Sequence, residues 1–362
     1  MKTELGTMET RSLRARILII ALVFFGVAII YLPGKPLISD SRWSILTTLS
    51  IIREHNTDLN EYQILLRDNK YHDTQTIGDK VYSLSPAAVA LTAVPFVLIY
   101  NQVTDVRAIT ARDIPTGIEH VVAIFYVALA AVFIYLIAQR LIGKEAYALL
   151  AVFVFAFCTS AWSTASLALF MHGPSILMLS IALYLLLRAD DRPALAQFVA
   201  LPLAFSYVLR PTNAIPLALL SIYVAMQYRK FMLRYLLWGL LIAVPFIAYN
   251  FKVYGSPLST YYHESEFFST SHLLEGLAGT LVSPARGLLI YSPILLFSFV
   301  GFYLKIRDKS FGRLDYFLAA VIVFHWLTIS SFNPWWGGHS YGPRYFTDMI
   351  PFFIYFMCPA II

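Results

Sequence analysis

Apolar runs alternate with short polar segments along the whole chain, and many of the runs have the length of membrane helices. A helix needs about 20 apolar residues to cross the hydrocarbon core of a bilayer. The pattern therefore predicts an all-α, polytopic integral membrane protein with about 10–11 transmembrane helices. The apolar runs lie at 17–33, 83–100, 119–138, 146–160, 173–188, 194–209, 213–227, 232–250, 287–304, 314–331 and 346–362.

The polar segments divide into basic loops and longer loops, and this division predicts the orientation. Basic clusters mark cytoplasmic loops. The long segments 34–82 and 251–286 and the loop 332–345 are then extracytoplasmic. The basic clusters are Arg11–Arg16, Arg140 with Lys144, Arg188 with Arg192, Arg229–Arg234 and Lys305–Arg313.

The count of crossings leaves one conflict. Arg16 and Arg140 should share a side, but three apolar runs separate them. Either 83–100 or 119–138 does not cross fully, or the Arg140 loop is external. Residues 1–362 are expected to form one transmembrane domain whose first span is not cleaved. The last run ends at Ile362 without a polar tail, so a C-terminal part is expected to be missing.

Composition excludes most other classes of protein. Hydrophobic residues make up 59% and charged residues 13% of the chain, whereas soluble domains carry about 25% charged residues. A soluble enzyme, a disordered protein, a coiled coil and a nucleic-acid module are therefore excluded. The net charge of +6 lies in loops, so the expected partner is the lipid bilayer and not nucleic acid. Cys158 and Cys358 lie in apolar runs and form no disulfide or metal motif.

The first long polar segment contains a short stretch with helical spacing. Trp43, Ile45, Leu46, Leu49 and Ile52 recur on one face of the helix predicted at 41–52. This pattern predicts an amphipathic, interfacial helix lying on the membrane surface.

Aromatic residues, glycines and an arginine are concentrated in 333–345. Proline and glycine prevent a regular helix there, and irregular backbone at membrane depth must be buried in protein or line a wet cavity. Tryptophan and tyrosine faces suit sugar rings, and an arginine fork suits phosphate. The whole string favours a site, although single residues fit an aromatic belt with a snorkelling arginine. Its candidate residues are Trp335, Trp336, His339, Tyr341 and Arg344.

Four further residues are candidates elsewhere. Asp40 follows the first span and could be a general base or bind a divalent metal, although on sequence alone a helix cap is the better interpretation. Arg210 lies at a turn between two runs and is either functional or snorkelling. His172 is a candidate substrate contact, and Arg286 stands at a helix start where an anion is favoured.

The motifs as a set resemble those of polytopic GT-C glycosyltransferases. The nearest resemblance is to bacterial relatives of protein O-mannosyltransferases and of the lipid A aminoarabinose transferase, which are similar to glycosyltransferase family 39. It rests on Asp40 after the first span, Lys80–Pro86, Ser283–Pro293 and Trp335–Tyr345. The first loop has Asp40-Ser41 where many relatives have two adjacent acids.

The resemblance implies a specific reaction. Such enzymes transfer a hexose or pentose from a polyprenyl-phosphate carrier at the extracytoplasmic face of the inner (plasma) membrane, with inversion. The acceptor is a glycan, a lipid or a protein. Asp40 would activate the acceptor hydroxyl, and Arg344, with Arg286 or Arg210, would hold the carrier phosphate. The resemblance implies no definite cofactor, but it leaves open whether the site binds a divalent metal. The residues implied for the sugar pocket are Trp335, Trp336, His339 and Tyr341.

The alternative function is a transporter or flippase of a lipid-linked sugar or another polar solute. Transporters commonly contain repeated halves with interrupted helices at matching positions. The chain shows no matching halves, and its polar residues gather in the predicted external loops. The sequence therefore favours an enzyme.

Overall fold

The computed structural model describes residues 2–34, 41–62, 65, 73–105, 116–259, 261, 268, 271–338 and 340–362. Of the described residues, 76% are in helices and 3% in strands. The α-helices are α1 Lys2–Tyr31, α2 Arg42–Arg53, α3 Ala87–Tyr100, α4 Thr116–Ile142, α5 Glu145–Phe157, α6 His172–Ala189, α7 Ala200–Leu209, α8 Ala214–Gln227, α9 Met232–Tyr254, α10 Leu273–Val282, α11 Leu288–Tyr291, α12 Leu296–Arg307, α13 Arg313–Ser330 and α14 Ile350–Ile361.

Short 3₁₀ and π turns extend or join these helices. Proline begins several of them, because the first turn of a helix leaves its N–H groups unused and the fixed φ of proline suits that position. The 3₁₀ turns are Asn60–Tyr62, Pro193–Val199, Pro211–Asn213, Arg229–Phe231, Pro293–Leu295 and Arg344–Met349, and Ala161–Ala165 is a π turn.

Every apolar run predicted from the sequence is largely helical, which confirms the helical class. Five described helices are long and apolar enough to cross a membrane by length and composition. The others are shorter, because proline or a tight turn interrupts them. The five spans are Arg14–Tyr31, Gly117–Ile142, His172–Ala189, Arg229–Tyr254 and Arg313–Ser330.

The centre of the bundle is a pair of parallel helices, α4 and α6. The rings of Phe133 and Tyr184 lie 5.8 Å apart in the middle of the pair. Near the C-terminal ends of the two helices, Arg140 of α4 donates two hydrogen bonds of 2.6 and 2.9 Å to Asp191, which follows α6. The shorter α5 connects the two and must therefore return the chain to the end where α4 began.

Helix α1 runs antiparallel to α4, and this resolves the conflict in the count of crossings. Phe24 and Phe125 contact each other at a centroid distance of 5.6 Å, and Gly34, just beyond α1, lies against the ring of His120. The end of α1 and the start of α4 thus share one end of the bundle. The 14-residue α3 lies between them, so the chain makes no net passage through the bundle between α1 and α4.

The basic loops predicted to be cytoplasmic meet at one end of the bundle. Tyr228 donates a hydrogen bond of 3.0 Å to Asp190, and Arg313 donates one of 2.9 Å to Gln227. Because Asp190 adjoins Asp191, the partner of Arg140, four of the predicted loops share this end. We call it the basic end.

Helix α2 corrects the prediction of an interfacial helix. Residues 43–50 are buried on every face, with Trp43 only 2% exposed. Thr48 Oγ1 donates to the backbone of α2 and also to the carbonyl oxygen of Ala90 in α3 at 2.9 Å. The prediction was wrong because the polar positions of α2 carry small hydroxyl groups, which backbone carbonyls can satisfy inside a protein.

A small antiparallel hairpin follows α2, which the sequence analysis did not predict. Strand β1, Thr74–Ile77, pairs with β2, Lys80–Ser83, and Thr74 lies opposite Ser83. Gly78 at the turn has a φ of +62°, a conformation that favours glycine. Tyr82 packs against Tyr254 at the end of α9, so the hairpin lies at the end opposite the basic end.

Candidate functional site

The segment between α13 and α14 builds the candidate site. Its described residues before Arg344 form no regular helix, and Gly337 and Gly342 have φ values of +72° and +75°. The ring of Tyr345 lies against Gly337, and that of Tyr291 lies against Gly342. Glycine is required at both positions, because another residue would combine a strained backbone with a close ring contact.

Arg286 holds this segment in place. Its Nε donates a hydrogen bond of 3.0 Å to the carbonyl oxygen of Trp336, and its Nη2 donates one of 2.7 Å to that of Gly338. Nη1 donates to the carbonyl oxygen of Ala285 at 3.0 Å. Carbonyl oxygens do not neutralise the cation, so Arg286 keeps a net positive charge while it fixes the loop.

A narrow crevice brings together four of the residues predicted from sequence. Its enclosed volume is only about 10 Å³, about the room that one water molecule needs. A sugar-sized ligand therefore requires the aromatic side chains to move. The lining residues are Thr280, Arg286, Ile329, Trp335, Trp336, Pro343, Arg344, Tyr345 and Phe346.

The aromatic side chains of the site differ in how firmly they are held. Trp335 donates a hydrogen bond of 3.2 Å to Glu275 and packs on Gly279 of α10. Trp336 is 46% exposed and meets Trp335 edge to face. Tyr341 is 67% exposed, meets only the ring of Tyr291 among the described aromatic contacts, and does not line the crevice.

Arg344 has no carboxylate partner among the described residues. Its guanidinium lies 5.4 Å from the centre of the Phe170 ring. Its Nε is buried and has no hydrogen-bond partner in the described part of the chain. Arg344 thus combines an uncompensated charge with an unused donor.

A buried ion pair lies behind Arg344. The Arg210 guanidinium pairs with the Asp348 carboxylate, and its Nη1 lies 2.7 Å from Nδ1 of His172. Asp348 Oδ2 is 3.2 Å from the same Nδ1. All three residues are at most 3% exposed.

The charges of Arg210 and Arg344 act on each other. Burial, above all, lowers the pKa of Arg210 to about 10, and the positive charge of Arg344 contributes to the decrease. Arg210 therefore stays protonated at neutral pH. The positive charges of Arg210 and Arg344 thus repel each other, and the buried carboxylate of Asp348 pairs with Arg210.

The structure divides the predicted site residues into three groups. Arg286, Trp335, Trp336 and Arg344 line the crevice, Arg210 and His172 belong to the buried network, and Tyr341 is exposed outside it. Asp40 and His339 lie outside the described residues, so their predicted roles stay predictions.

Sequence reasoning missed Asp348. It is the single acidic residue in the apolar run 346–362, and ionisable residues embedded among spans are functional candidates. That signal was available. No group of three or more His, Cys, Asp and Glu side chains able to hold a metal occurs among the described residues.

Five of the described helices are long and apolar enough to cross a membrane, so the fold is compatible with an all-α membrane protein. Comparisons with protein-family models, curated proteins and solved structures found no match to this chain.

Proposed function

We propose that the chain is a GT-C-type membrane glycosyltransferase that uses a polyprenyl-phosphate-linked sugar as its donor. The single observation that supports this most is the crevice. Two guanidinium groups, those of Arg286 and Arg344, and two indole rings, those of Trp335 and Trp336, line one opening. This combination suits a ligand that has an anionic group beside a sugar ring.

The chemistry of Arg344 suits the leaving phosphate. A planar, permanently charged guanidinium donates hydrogen bonds to phosphate oxygens, and it stabilises charge best where water is excluded. Its unused Nε and its position over the Phe170 ring support this role. Arg286 would add charge while it holds the loop.

In the proposed reaction an acceptor hydroxyl attacks the anomeric carbon of the sugar. The new bond forms from the acceptor oxygen to that carbon, the bond from the carbon to the phosphate oxygen breaks, and the polyprenyl phosphate leaves with the electron pair. Asp40 would take the acceptor's proton as a general base. Attack opposite the leaving group inverts the configuration. The acceptor is a glycan, a lipid or a protein.

We further propose that the basic end is cytoplasmic and that the site faces the extracytoplasmic side of the inner membrane. Loops rich in lysine and arginine are retained on the cytoplasmic side. The helices shorter than a full span would complete about 10–11 membrane segments together with the turns that extend them.

The decisive experiment incubates the purified full chain with several polyprenyl-phosphate sugars and a membrane extract, and mass spectrometry looks for a glycosylated product. We expect transfer by the wild type and loss of transfer in Asp40→Asn and Arg344→Gln. Arg313→Gln, which removes an exposed arginine at the basic end, is the matched control and should retain activity. Movement of the lipid-linked sugar across vesicles without any product would favour a flippase and overturn the proposal.

A further inference from the structure

The Arg210–Asp348 pair lies directly behind the crevice but does not line it. Both side chains are enclosed by protein, and the pair therefore cannot touch a ligand in the crevice. Any effect of the pair on a bound ligand must therefore act through a neighbouring side chain that lines the crevice. Two neighbours line the crevice, Tyr345, whose ring centre lies 5.7 Å from the Arg210 guanidinium carbon, and Arg344, and of these only Arg344 carries a charge.

Arg344 and Asp348 share one short 3₁₀ helix, Arg344–Met349. Two other bonds hold this helix. Thr347 and Ser160 share a hydrogen bond of 2.9 Å, and His325 Nε2 lies 2.9 Å from the carbonyl oxygen of Tyr345. The two charged residues therefore keep a fixed relation, with the cation at the crevice and the carboxylate in the interior.

Each of these two side chains has an unused polar atom. Among the described residues, Asp348 Oδ1 and Arg344 Nε are both buried without a hydrogen-bond partner. One is an acceptor with a negative charge and the other is a donor with a positive charge. They are complementary in charge and in hydrogen bonding, and Asp348 pairs with Arg210 through its other oxygen, Oδ2.

A buried carboxylate without a cation is costly and takes the nearest available partner. If Arg210 were absent, the remaining permanent cation whose charge reaches this network would be Arg344, because His172, 3.2 Å from Asp348 Oδ2, carries a charge only when it is protonated. Arg344 would then be neutralised from inside, and an anion in the crevice would have to compete with Asp348.

We propose that Arg210 is a positioning residue that holds Asp348 and thereby keeps the charge of Arg344 available to the ligand's phosphate. This inference rests on the proposed function, because it takes the anion at Arg344 to be the donor phosphate. It assigns to Arg210 the role of counter-ion, not of phosphate ligand. It also explains why a carboxylate is tolerated next to an anion site.

The test measures binding of undecaprenyl phosphate, which carries no sugar, to the purified full chain in detergent. A titration to saturation separates the dissociation constant from the fraction of active protein. Arg210→Gln should raise the dissociation constant about tenfold or more, the loss expected for one charge-assisted hydrogen bond. Arg344→Gln should weaken binding by a similar factor, and Arg313→Gln should leave it unchanged.

The double variant Arg210→Gln/Asp348→Asn provides the specific result. It lacks the competing carboxylate, so its dissociation constant should return to within about threefold of wild type. The single variant Asp348→Asn should bind at least as tightly as wild type. If Arg210→Gln does not fold, Asp348→Asn is tested in its place. A merely structural pair would change the active fraction and leave the dissociation constant unchanged.

The outcomes separate this inference from the proposed function. If Arg344→Gln weakens binding but Arg210→Gln does not, the positioning role is overturned and the phosphate site stands. If the double variant binds as weakly as Arg210→Gln, or Asp348→Asn binds tenfold more weakly than wild type, the competition is also overturned. If wild type does not bind, or Arg344→Gln binds like wild type, the phosphate site itself fails.

Discussion

Arg286 Nη2 donates a hydrogen bond of 2.7 Å to the carbonyl oxygen of Gly338, 52 residues further along the chain. This bond joins the two sequence strings that the resemblance depends on, the one around Arg286 and the one that begins at Trp335. The shape of the crevice therefore depends on a contact between a helix start and an irregular loop. Predictions about the site follow from that contact.

Replacing Arg286 with glutamine should loosen the loop. A glutamine side chain is shorter and has only one amide group, so it cannot bond to both Trp336 and Gly338 as the guanidinium does. Hydrogen–deuterium exchange should increase in 335–342 and stay unchanged in α4 and α6. The control is Arg313→Gln, which bonds to Gln227 at the basic end. Equal exchange in both variants would show that Arg286 does not hold the loop.

Replacing Gly279 with alanine should displace Trp335. A Cβ at this position would overlap the indole ring, whereas a Cβ at Gly26 of α1 would meet no heavy atom within 4 Å. We expect Gly279→Ala to lower the free energy of unfolding by about 1–3 kcal/mol. Gly26→Ala is the matched control and should change it little. Thermal unfolding of both variants in the same detergent provides the measurement, and equal melting temperatures would contradict the packing of Trp335 on α10.

Removing the charge of Asp315 should destabilise the basic end. Asp315 is buried and lies 2.6 Å from Lys305 Nζ, and it accepts a hydrogen bond of 2.7 Å from Tyr355. Asp315→Asn leaves Lys305 without its counter-ion, and breaking such a pair costs about 3–5 kcal/mol.

The control for Asp315 is the same substitution at an exposed ion pair. Asp308 and Arg307 are 55% and 57% exposed, so Asp308→Asn should cost at most about 1 kcal/mol. Unfolding curves of the two variants should therefore differ clearly. Similar stabilities would mean that the Lys305–Asp315 pair does not stabilise the bundle.

The two ends of the bundle should be labelled from opposite sides of the membrane. Lys230 is exposed near the basic end and Tyr341 is exposed at the site end. In a Cys158→Ser background, a membrane-impermeant maleimide should label Tyr341→Cys in intact cells. It should label Lys230→Cys only after the cells are opened. Labelling of both in intact cells would contradict the proposed orientation.

The helices were predictable because a membrane leaves few choices. A run of apolar residues in a bilayer must satisfy its backbone hydrogen bonds internally, so it becomes a helix. Breaks in the runs were predictable because proline has no N–H to donate within a helix. Pro293, for example, follows the short helix that begins at Leu288. The sequence also indicated that residues 333–345 are irregular, because its prolines and glycines exclude a regular helix.

Other features could not be read from local pattern. The spacing in α2 indicated an amphipathic helix, but whether its second face meets lipid headgroups or α3 depends on residues more than 30 positions away. The parity of crossings between Arg16 and Arg140 was undecided until α1 was seen to lie antiparallel to α4. The burial of Arg210 likewise required its partner, which no nearby residue supplies.

The sequence by itself determined the mostly helical fold, the helices apolar enough to cross a membrane, and the polar strings that interrupt the apolar runs, because hydropathy and helix-breaking residues act locally. Only the tertiary structure decided which charged side chains are paired inside the protein and which are left for a ligand in the crevice. Asp348 compensates Arg210 across 138 positions, while Arg344 keeps its charge at the crevice. Electrostatic pairing depends on distance in space, and that distance is set by how the helices pack.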